Sequence, residues 1–573
     1  MLRIFEKFYF LMSPRLRTVA IFLIFFLFIG SIIELFSLAM VIPILQIIID
    51  PDALENYLKY LPFNEYLITI PERTLLYIIV GLTVFIYIFK NIYLFAVQWA
   101  TQKFLKSFAV HICDSLLKVY LKKNFLYFNE HNSAGFIKTL EKDVEGLNSN
   151  LGYCATVILE IFTIILISIL LFLVQPLGMI STISFYIIGA GAFMILVKKK
   201  TKIWATEKFL WERDKMKYLK QIVESIRDVK LLNLESFFLE NFTKNNRNYF
   251  NVAMKNAIVV HTPRLWMEII TITAIFALLA ILLNNQNMVS SSILPVLGLY
   301  VASAFKLIPS FNKIVSSVQG LRFIKPAINE YYFEIFNSSK NEMKSNIEKN
   351  IIFKNKIEFK NISFSYNKKN IILNNISLTL GKGEKIGIFG DSGSGKSTFL
   401  DIFTGLVVPD SGEILVDGIN INLGINSWRK QFAYSSQNPI LIDDTLKNNI
   451  LLGSVKNYNL DMFKKSLRYA KLENFIDQLD KKEDSIIGER GAKISGGQKQ
   501  RIGLAKAICL DRNILILDES TNAIDEENEK EILENIWKEY YNKSIIIVSH
   551  NKKNLEICDT VYEFTKNKLI KIK

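Results

Sequence analysis

Apolar residues are concentrated in the first half of the chain, where they form long spans separated by polar segments. A helix crosses the hydrocarbon layer of a membrane, which is roughly 30 Å thick, with about 20 residues. The pattern therefore predicts a bundle of six membrane-spanning helices, at residues 18–49, 75–100, 153–175, 179–197, 265–283 and 291–312.

The connections between these spans differ in charge. Residues 101–152 and 198–263 are long, basic and helical in periodicity, as in FLKSFAVHICDSLLKVYL, whereas the remaining connections carry few lysines or no charge. Because cytoplasmic loops are enriched in Lys and Arg, this asymmetry places the N-terminus and both long loops in the cytoplasm. We interpret the long loops as helices that continue out of the membrane. Residues 53–61, ALENYLKYL, suit either an amphipathic surface helix or a packed loop helix.

The pattern changes near residue 350. Strand-like alternation in IEFKNISFSY and buried strands such as KIGIFG and ILILD alternate with helical stretches, which is typical of an α/β domain. The sequence thus predicts a transmembrane domain over 1–325, a polar linker over 326–350 and a soluble α/β domain over 351–573.

Composition supports this division. Half of the 573 residues are hydrophobic, yet the net charge is +15. An excess of basic residues is compatible with binding to nucleic acid or with cytoplasmic loops of a membrane protein. Because the Lys and Arg residues are concentrated in the connections on one side of the spans, we favour cytoplasmic loops and expect no nucleic-acid partner. The cysteines are scattered without CxxC spacing, which favours a reducing interior over disulfides or zinc; they are Cys113, Cys154, Cys509 and Cys558.

The stretch GDSGSGKST at 390–398 matches the phosphate-binding loop G-x-x-x-x-G-K-[ST] and follows an apolar strand. Its glycines allow backbone N–H groups to approach phosphates, its lysine reaches the β- and γ-phosphates, and its serine hydroxyl ligates Mg²⁺. ATP and Mg²⁺ are therefore the expected cofactors. The predicted contacts are Gly390, Gly393, Gly395, Lys396, Ser397 and Thr398.

Downstream, ILILDE ends a second buried strand with two acids. Asp518 is placed to help hold Mg²⁺, and Glu519 to polarise the attacking water. An alternative role for Glu519 is that of an acid at a helix N-terminus.

Between these motifs lies KISGGQKQR (493–501), which closely matches the signature L-S-G-G-Q with Ile494 in place of leucine. In this respect the segment 351–573 resembles the ATPases of ABC transporters. The resemblance implies that the signature faces the ATP held by another subunit, so that a homodimer is the expected partner. The signature residues are Ser495, Gly496, Gly497 and Gln498.

Other positions match the same family in order. The resemblance implies that Tyr366 stacks on adenine and that Gln437, in YSSQN, contacts Mg²⁺ and senses the membrane domain. It also implies a dimer contact for Asp525 in NAID and a γ-phosphate contact for His550 in IIIVSHN. Asn522 departs from the usual serine.

Six spans followed by one ATPase domain resemble a half-transporter of the ABC exporters, which implies a multi-pass protein of the bacterial inner membrane with a cytoplasmic ATPase. Residues 127–148 and 233–248 resemble the two coupling regions, and GERGAK (488–493) resembles the exporter-specific stretch before the signature. A soluble ABC ATPase of DNA repair or translation is excluded by the spans.

The cargo is indicated only by short stretches. RLWMEII (264–270) and FKLIPSFNKI (305–314) are similar to the PglK-type flippases, which implies a polyprenyl-diphosphate-linked oligosaccharide as substrate. A lipid A-like lipid, a drug or a peptide remains an alternative cargo. A nucleotide-gated channel or regulator is an alternative of another class.

Charged residues also occur within the spans, and depth counted at about 1.5 Å per residue places six of them in one layer near the inner leaflet. One interpretation is that three cations and three acids pair as buried salt bridges. The other is that the cations face a cavity and attract a diphosphate, since intramembrane charges usually face polar cavities. Arg264 could alternatively extend to the cytoplasmic interface. The cations are Lys90, Arg264 and Lys306, and the acids are Glu34, Glu160 and Glu268.

Overall fold

The structure is a computed structural model, and it divides into two compact units, Met1–Lys123 with Tyr127–Met343, and Asn124–Leu126 with Lys344–Lys573. The amphipathic stretch 53–61, most of the predicted linker and part of GERGAK lie outside the residues that it describes. The described residues are 2–40, 72–131, 133–283, 290–323, 328–329, 332–333, 349–366, 370–452, 458–488, 491, 493–565 and 567–573.

The first unit is helical over its described residues. Five helices are long and apolar enough to cross a membrane among the residues described, and the sixth predicted span, 291–312, lies within a further long helix. The helices are α1 (Leu2–Leu11), α2 (Pro14–Ala39), α3 (Glu72–Leu121), α4 (Phe125–Glu130), α5 (Ser133–Lys138), a π-helical turn (Thr139–Asp143), α6 (Val144–Val174), α7 (Pro176–Glu224), α8 (Ile226–Leu231), α9 (Glu235–Leu283) and α10 (Ser290–Phe323).

Three helices are long enough to extend from the membrane spans into the long basic connections. Helices α3, α7 and α9 have 50, 49 and 49 residues, about twice what a membrane span requires. As the periodicity predicted, much of the long cytoplasmic connections consists of continuations of these helices. Short helical segments join them, at 125–130 and 133–143 in the first connection and at Ile226–Leu231 in the second.

Local sequence sets where helices begin and bend. The Ser13 hydroxyl accepts a hydrogen bond from the Leu16 amide at 3.4 Å, and Pro14 opens the first turn of α2. Proline is favoured at this position because its missing N–H would have had no helical partner. Pro263, by contrast, is buried inside α9, where it removes one backbone hydrogen bond.

The second unit contains two sheets. One is four-stranded with the order β2-β1-β4-β5, and the other is six-stranded with the order β10-β9-β3-β8-β7-β6. The strands are β1 (Lys356–Ser365), β2 (Ile371–Gly381), β3 (Lys385–Gly390), β4 (Ser411–Val416), β5 (Ile419–Asn420), β6 (Phe432–Ser435), β7 (Ile514–Asp518), β8 (Ser544–Val548), β9 (Thr560–Thr565) and β10 (Lys568–Lys571).

Strands β9, β3, β8, β7 and β6 run parallel, with only β10 antiparallel in this sheet. The central strands β7 and β8 are buried as continuous runs, as expected for a parallel sheet covered on both faces. The helices are α11 (Lys396–Phe403), α12 (Ile425–Arg429), α13 (Leu446–Ile450), α14 (Leu460–Tyr469), α15 (Glu473–Asp477), α16 (Gly496–Cys509) and α17 (Glu526–Glu539).

This order of strands determines where the chemistry lies. Strands β3, β8 and β7 are hydrogen-bonded neighbours, so their carboxyl ends bring together the phosphate loop, His550 and the acids of ILILDE. Ligands of open α/β sheets bind at this edge. The predicted fold class, a helical transmembrane domain followed by an α/β ATPase domain, is confirmed.

Candidate functional site

The phosphate loop connects β3 to α11. Gly393 has a φ of +80° and Gly395 a φ of +108°, conformations that residues with a Cβ rarely adopt. A Cβ at Gly395 would also lie 3.2 Å from Leu373 Cδ2. The glycines thus allow the chain to turn tightly into the helix N-terminus, whose free N–H groups suit a phosphate.

Lys396 is folded back under this loop. Its Nζ donates to the carbonyl oxygens of Gly390 at 2.7 Å and of Asp391 at 2.9 Å. Burial lowers the pKa of Lys396, while the nearby carboxylates of Glu519 and Asp518 oppose that shift. The ammonium is therefore held beneath the position where phosphates would lie.

Glu519 lies at the centre of a network of donors. Its Oε2 accepts from Gln437 Nε2 at 2.9 Å and from Asn522 Nδ2 at 3.2 Å, and its Oε1 lies 4.0 Å from Lys396 Nζ. The residue has a φ of +45°, which is uncommon for a residue other than glycine and typical of functional sites. The alternative role, an acid at a helix N-terminus, does not apply, because α17 begins only at Glu526.

His550 joins this network to the phosphate loop. Its Nε2 lies 2.5 Å from Glu519 Oε1, and its Nδ1 lies 3.2 Å from the carbonyl oxygen of Gly390. The predicted catalytic residues Glu519, His550 and Gln437 are thus in direct contact.

Asp518 is restrained by a residue that the sequence did not single out. The Tyr434 hydroxyl, on β6, donates to Asp518 Oδ2 at 2.6 Å. Burial raises the pKa of Asp518, and the hydrogen bond from Tyr434 partly offsets that effect. Asp401, on α11, is close enough to interact; burial and the charge of Asp518 raise the pKa of Asp401 to about 6.

The oxygen atoms at this edge fit Mg²⁺ and phosphate. Ser397 is exposed on the first turn of α11, and Asp518 Oδ1 is not engaged by the Tyr434 hydroxyl. Hydroxyl and carboxylate oxygens of this kind hold Mg²⁺ together with substrate phosphates. Inside the loop, the buried Ser394 Oγ has no hydrogen-bond partner among the described residues.

Tyr366 follows β1 and leans on the phosphate-loop helix. Its hydroxyl lies 3.2 Å from Thr398 Oγ1. The residue remains 46% exposed, so part of the ring is available for stacking on a base.

The signature segment caps its own helix. The Ser495 hydroxyl accepts from the Gln498 amide at 3.3 Å, and Gln498 Oε1 accepts from the Ser495 amide at 2.9 Å. This capping box satisfies two helix N–H groups. Because the serine hydroxyl acts here as an acceptor, its own O–H remains able to donate to a phosphate.

Gln500 connects the signature helix to the rest of the site, and Asp525 caps a different helix. Gln500 Oε1 accepts from the Ala523 amide at 2.8 Å, and Gln500 Nε2 donates to the Gln437 carbonyl oxygen at 3.3 Å. Asp525 caps α17 by accepting from the Asn528 amide at 3.2 Å. The predicted dimer-contact residue is therefore at the start of a helix.

The intramembrane charges pair differently from the arrangement of three cations with three acids. Lys306 pairs with Glu34, and Arg264 pairs with Glu268 on the same helix at 3.3 Å. Glu160, however, pairs with Lys313 at 2.7 Å. Lys313 lies outside the predicted layer because the predicted sixth span ends at residue 312.

Lys90 is consequently the cation of the layer that has no acid partner among the described residues. Its Nζ lies 3.5 Å from Ser37 Oγ and 4.3 Å from the centre of the Tyr87 ring. No carboxylate lies within 4.0 Å of this Nζ among the residues that the structure describes. Glu34, an acid close enough to influence Lys90 electrostatically, is already paired with Lys306.

The residues that the sequence missed share one property. Tyr434, Asn522, Gln500 and Lys313 have no role predicted from a motif. Each forms a hydrogen bond or an ion pair with a residue that the sequence did single out, and these partners are Asp518, Glu519, Gln437 and Glu160, respectively. The parallel pairing of β6 with β7 could have indicated Tyr434, since it begins the YSSQN stretch beside ILILD.

Comparisons with protein families give two matches. The family described as "ABC transporter" matches residues 373–522. The family described as "ABC transporter transmembrane region" matches residues 19–305, which is half of the chain.

Individual relatives cover different shares of the chain. It is 25% identical over 446 residues to the heterocyst differentiation ATP-binding protein HepA of Nostoc sp., covering 78% of this chain and 72% of that protein. It is 31% identical over 359 residues to the ATP-dependent lipid A-core flippase of Desulfotalea psychrophila, covering 61% of each. A solved bacterial Atm1-family ABC exporter with ATP bound aligns with a TM-score of 0.80 over 97% of this chain and 95% of that chain, at 18% identity, which shows a shared fold.

Proposed function

The chain belongs to the ABC transporter family, as an exporter half-transporter with its own ATPase domain, and we propose that its cargo is an amphipathic lipid with an anionic, phosphate-bearing head group. Within this class, a polyprenyl-diphosphate-linked oligosaccharide is the specific candidate. A flippase of lipid A-core among its relatives supports a lipid over a soluble cargo.

The observation that carries this proposal is the environment of Lys90. Its ammonium contacts a hydroxyl and an aromatic ring, whereas Lys306 and Arg264 are each paired with an acid. A charge within a membrane span is costly and commonly marks a substrate pathway. A phosphate is the group that would compensate Lys90.

Lys306 and Arg264 have secondary roles in this proposal. The Lys306–Glu34 pair lies close to Lys90. By pairing with Glu34, Lys306 reduces the repulsion between this glutamate and an arriving phosphate. The Arg264 side chain is 72% exposed and can reorient towards the head group.

The ATPase site supplies the energy. In this proposal Lys396 and the phosphate-loop amides bind the β- and γ-phosphates, Tyr366 stacks on adenine, and Ser397 and Asp518 hold Mg²⁺ with help from Gln437. When bound, Mg²⁺ neutralises charge on the phosphates. Glu519, held by Gln437 and Asn522, orients the attacking water and accepts its proton, and His550 contacts the γ-phosphate.

Two chains are needed to complete each site in this proposal. Ser495, Gly496, Gly497 and Gln498 face the ATP held by the other chain, and Asp525 lies at the contact between chains. The free O–H of Ser495 supports this arrangement, because the capping box leaves it available to donate.

The test is ATP-dependent flipping in proteoliposomes, with a polyprenyl-diphosphate glycolipid, lipid A and a neutral glycolipid compared. We expect the two anionic lipids to be moved in preference to the neutral one. Lys90→Ala should reduce flipping at least about tenfold, the size of a lost charge-assisted contact, with basal ATPase retained. The exposed Lys199→Ala is the matched control. Normal flipping by Lys90→Ala would overturn the cargo assignment.

A further inference from the structure

An apolar cavity of about 370 Å³ lies in the first unit, between α1, α2, α3 and α6. Its walls are almost entirely apolar, and each helix contributes to them, with Phe8, Leu27, Phe104, Leu151 and Ile158 as examples. Residues 18 and 153 mark the inner ends of the first and third predicted spans. The cavity therefore extends from the cytoplasmic interface into the inner leaflet.

Two charged side chains line the mouth of this cavity, and they do not pair. Glu6 belongs to α1 and Arg17 to the first turn of α2. Neither forms an ion pair within 4.0 Å among the described residues. A cation and an acid are thus both available at the cytoplasmic rim.

Arg17 is held rigidly in this place. Its Nε donates to the Tyr9 carbonyl oxygen at 2.9 Å and its Nη2 to that of Phe10 at 3.4 Å. The guanidinium also lies 4.4 Å from the centre of the Tyr9 ring. These carbonyl groups belong to the last turn of α1. Carbonyl groups in the last turn of a helix receive no hydrogen bond from N–H groups of the same helix.

The hydrogen bonds leave most of the guanidinium unused. An arginine has five N–H donors, and two bonds to carbonyls leave three in a fixed orientation. A pre-oriented guanidinium suits a phosphate because its planar fork matches phosphate oxygens.

We propose that this cavity is a binding site for a resident phospholipid of the inner leaflet, with an acyl chain in the cavity, the phosphate at Arg17 and a head-group amine at Glu6. The occupant is a zwitterionic aminophospholipid, because only such a head group complements both charges. The site goes beyond the proposed transport activity, since the resident lipid is distinct from the cargo.

A substitution in the cavity wall can block binding of the acyl chain. Ala155 lines the wall on α6, so Ala155→Phe would occupy the space of the acyl chain. Ala280 is exposed on α9 and does not line the cavity, so Ala280→Phe adds the same bulk to a lipid-facing surface elsewhere.

The test measures lipid retained by the full-length protein after reconstitution with equal phosphatidylethanolamine and phosphatidylglycerol, by native mass spectrometry. We expect the unsubstituted protein and Ala280→Phe to retain phosphatidylethanolamine preferentially, and Ala155→Phe to lose it. Arg17→Gln should weaken retention about tenfold, and Glu6→Gln should abolish the preference between the two lipids.

Two results would overturn the inference. One is equal retention by Ala155→Phe and Ala280→Phe. The other is the absence of any preference in the unsubstituted protein. If Ala155→Phe does not fold, a phosphatidylethanolamine with a photoreactive acyl chain decides the matter on the unsubstituted protein: labelling confined to 5–27, 101–104 and 151–158 supports the site, and uniform labelling overturns it. No readout depends on transport or ATPase, so failure here is separate from failure of the cargo assignment.

Discussion

The Tyr434 hydroxyl donates a 2.6 Å hydrogen bond to Asp518 Oδ2 across two neighbouring parallel strands. The bond occupies one carboxylate oxygen and leaves the other for a metal ion. Burial and the charge of Asp518 raise the pKa of Tyr434, so the phenol remains a donor at neutral pH. Tyr434 is therefore a positioning residue for the predicted Mg²⁺ ligand.

Tyr434→Phe should raise the Mg²⁺ concentration required for half-maximal ATPase several-fold, because the Asp518 carboxylate loses the bond that fixes its orientation. Binding of Mn²⁺ in the presence of ATP, measured by electron paramagnetic resonance, should weaken in parallel. Tyr469→Phe is the matched control, since Tyr469 donates to Glu539 at 2.9 Å. An unchanged or lower Mg²⁺ requirement would contradict the positioning role.

Glu519→Gln should lower ATP turnover about a hundredfold or more, the usual contribution of a general base, while ATP binding is retained. Lys396→Ala should instead weaken nucleotide binding, because its ammonium lies beneath the phosphates. Steady-state ATPase and equilibrium ATP binding on the purified protein separate the two effects. ATPase near the unsubstituted rate in Glu519→Gln would exclude it as the base.

Shared sites between two chains can be tested by mixing variants. Lys396→Ala and Ser495→Arg subunits should each be inactive alone, and their mixed dimer should regain one intact site, with ATPase up to about half of normal per dimer if the sites act independently. Formation of mixed dimers is verified with two affinity tags. Mixed dimers without any recovered activity would argue against a signature donated from the other chain.

Asp401→Asn should change the pH dependence of stability. The pKa of Asp401 is raised from 3.8 to about 6 in the folded protein, so the folded state binds more protons than the unfolded state between these values. Stability therefore decreases as pH rises through that window. The thermal midpoint should rise on substitution, more at pH 8 than at pH 5, whereas the exposed Asp443→Asn should show no such difference. A gain that is equal at both pH values would contradict this assignment.

Lys313→Met should destabilise the transmembrane unit, because Glu160 is only 2% exposed and its Oε2 already has no partner among the described residues. An unpaired buried acceptor costs about 1–3 kcal/mol. The thermal midpoint in detergent should fall and then recover in Lys313→Met with Glu160→Gln. No recovery in the double variant would show that lysine packing, rather than pairing, is what matters.

Much of this architecture was predictable from the sequence because its signals are local. Hydropathy gave the spans, Lys and Arg asymmetry gave their orientation, and the phosphate loop carries its own glycines and lysine. Glu519 and His550 each end an apolar strand, and a parallel sheet brings such ends together.

Other features depend on contacts between distant segments and leave no local signal. Tyr434 contacts Asp518 from 84 positions away, and Lys313 contacts Glu160 from 153 positions away. Lys313 was also missed because hydropathy ends a span where polar residues begin, although α10 continues to Phe323. Such pairs are defined by the tertiary structure and not by a local motif.

Pro263 divides α9 into a cytoplasmic segment and a membrane-spanning segment that meet at one position. A proline cannot donate to the carbonyl four residues earlier, and its ring presses against that turn, so the helix bends there at the lowest cost. The preceding 28 residues of α9, Glu235–Thr262, lie on the cytoplasmic side, and the following residues form the fifth span. A displacement of the cytoplasmic part would therefore be converted at Pro263 into a change of tilt, and Arg264, the next residue, would swing with it.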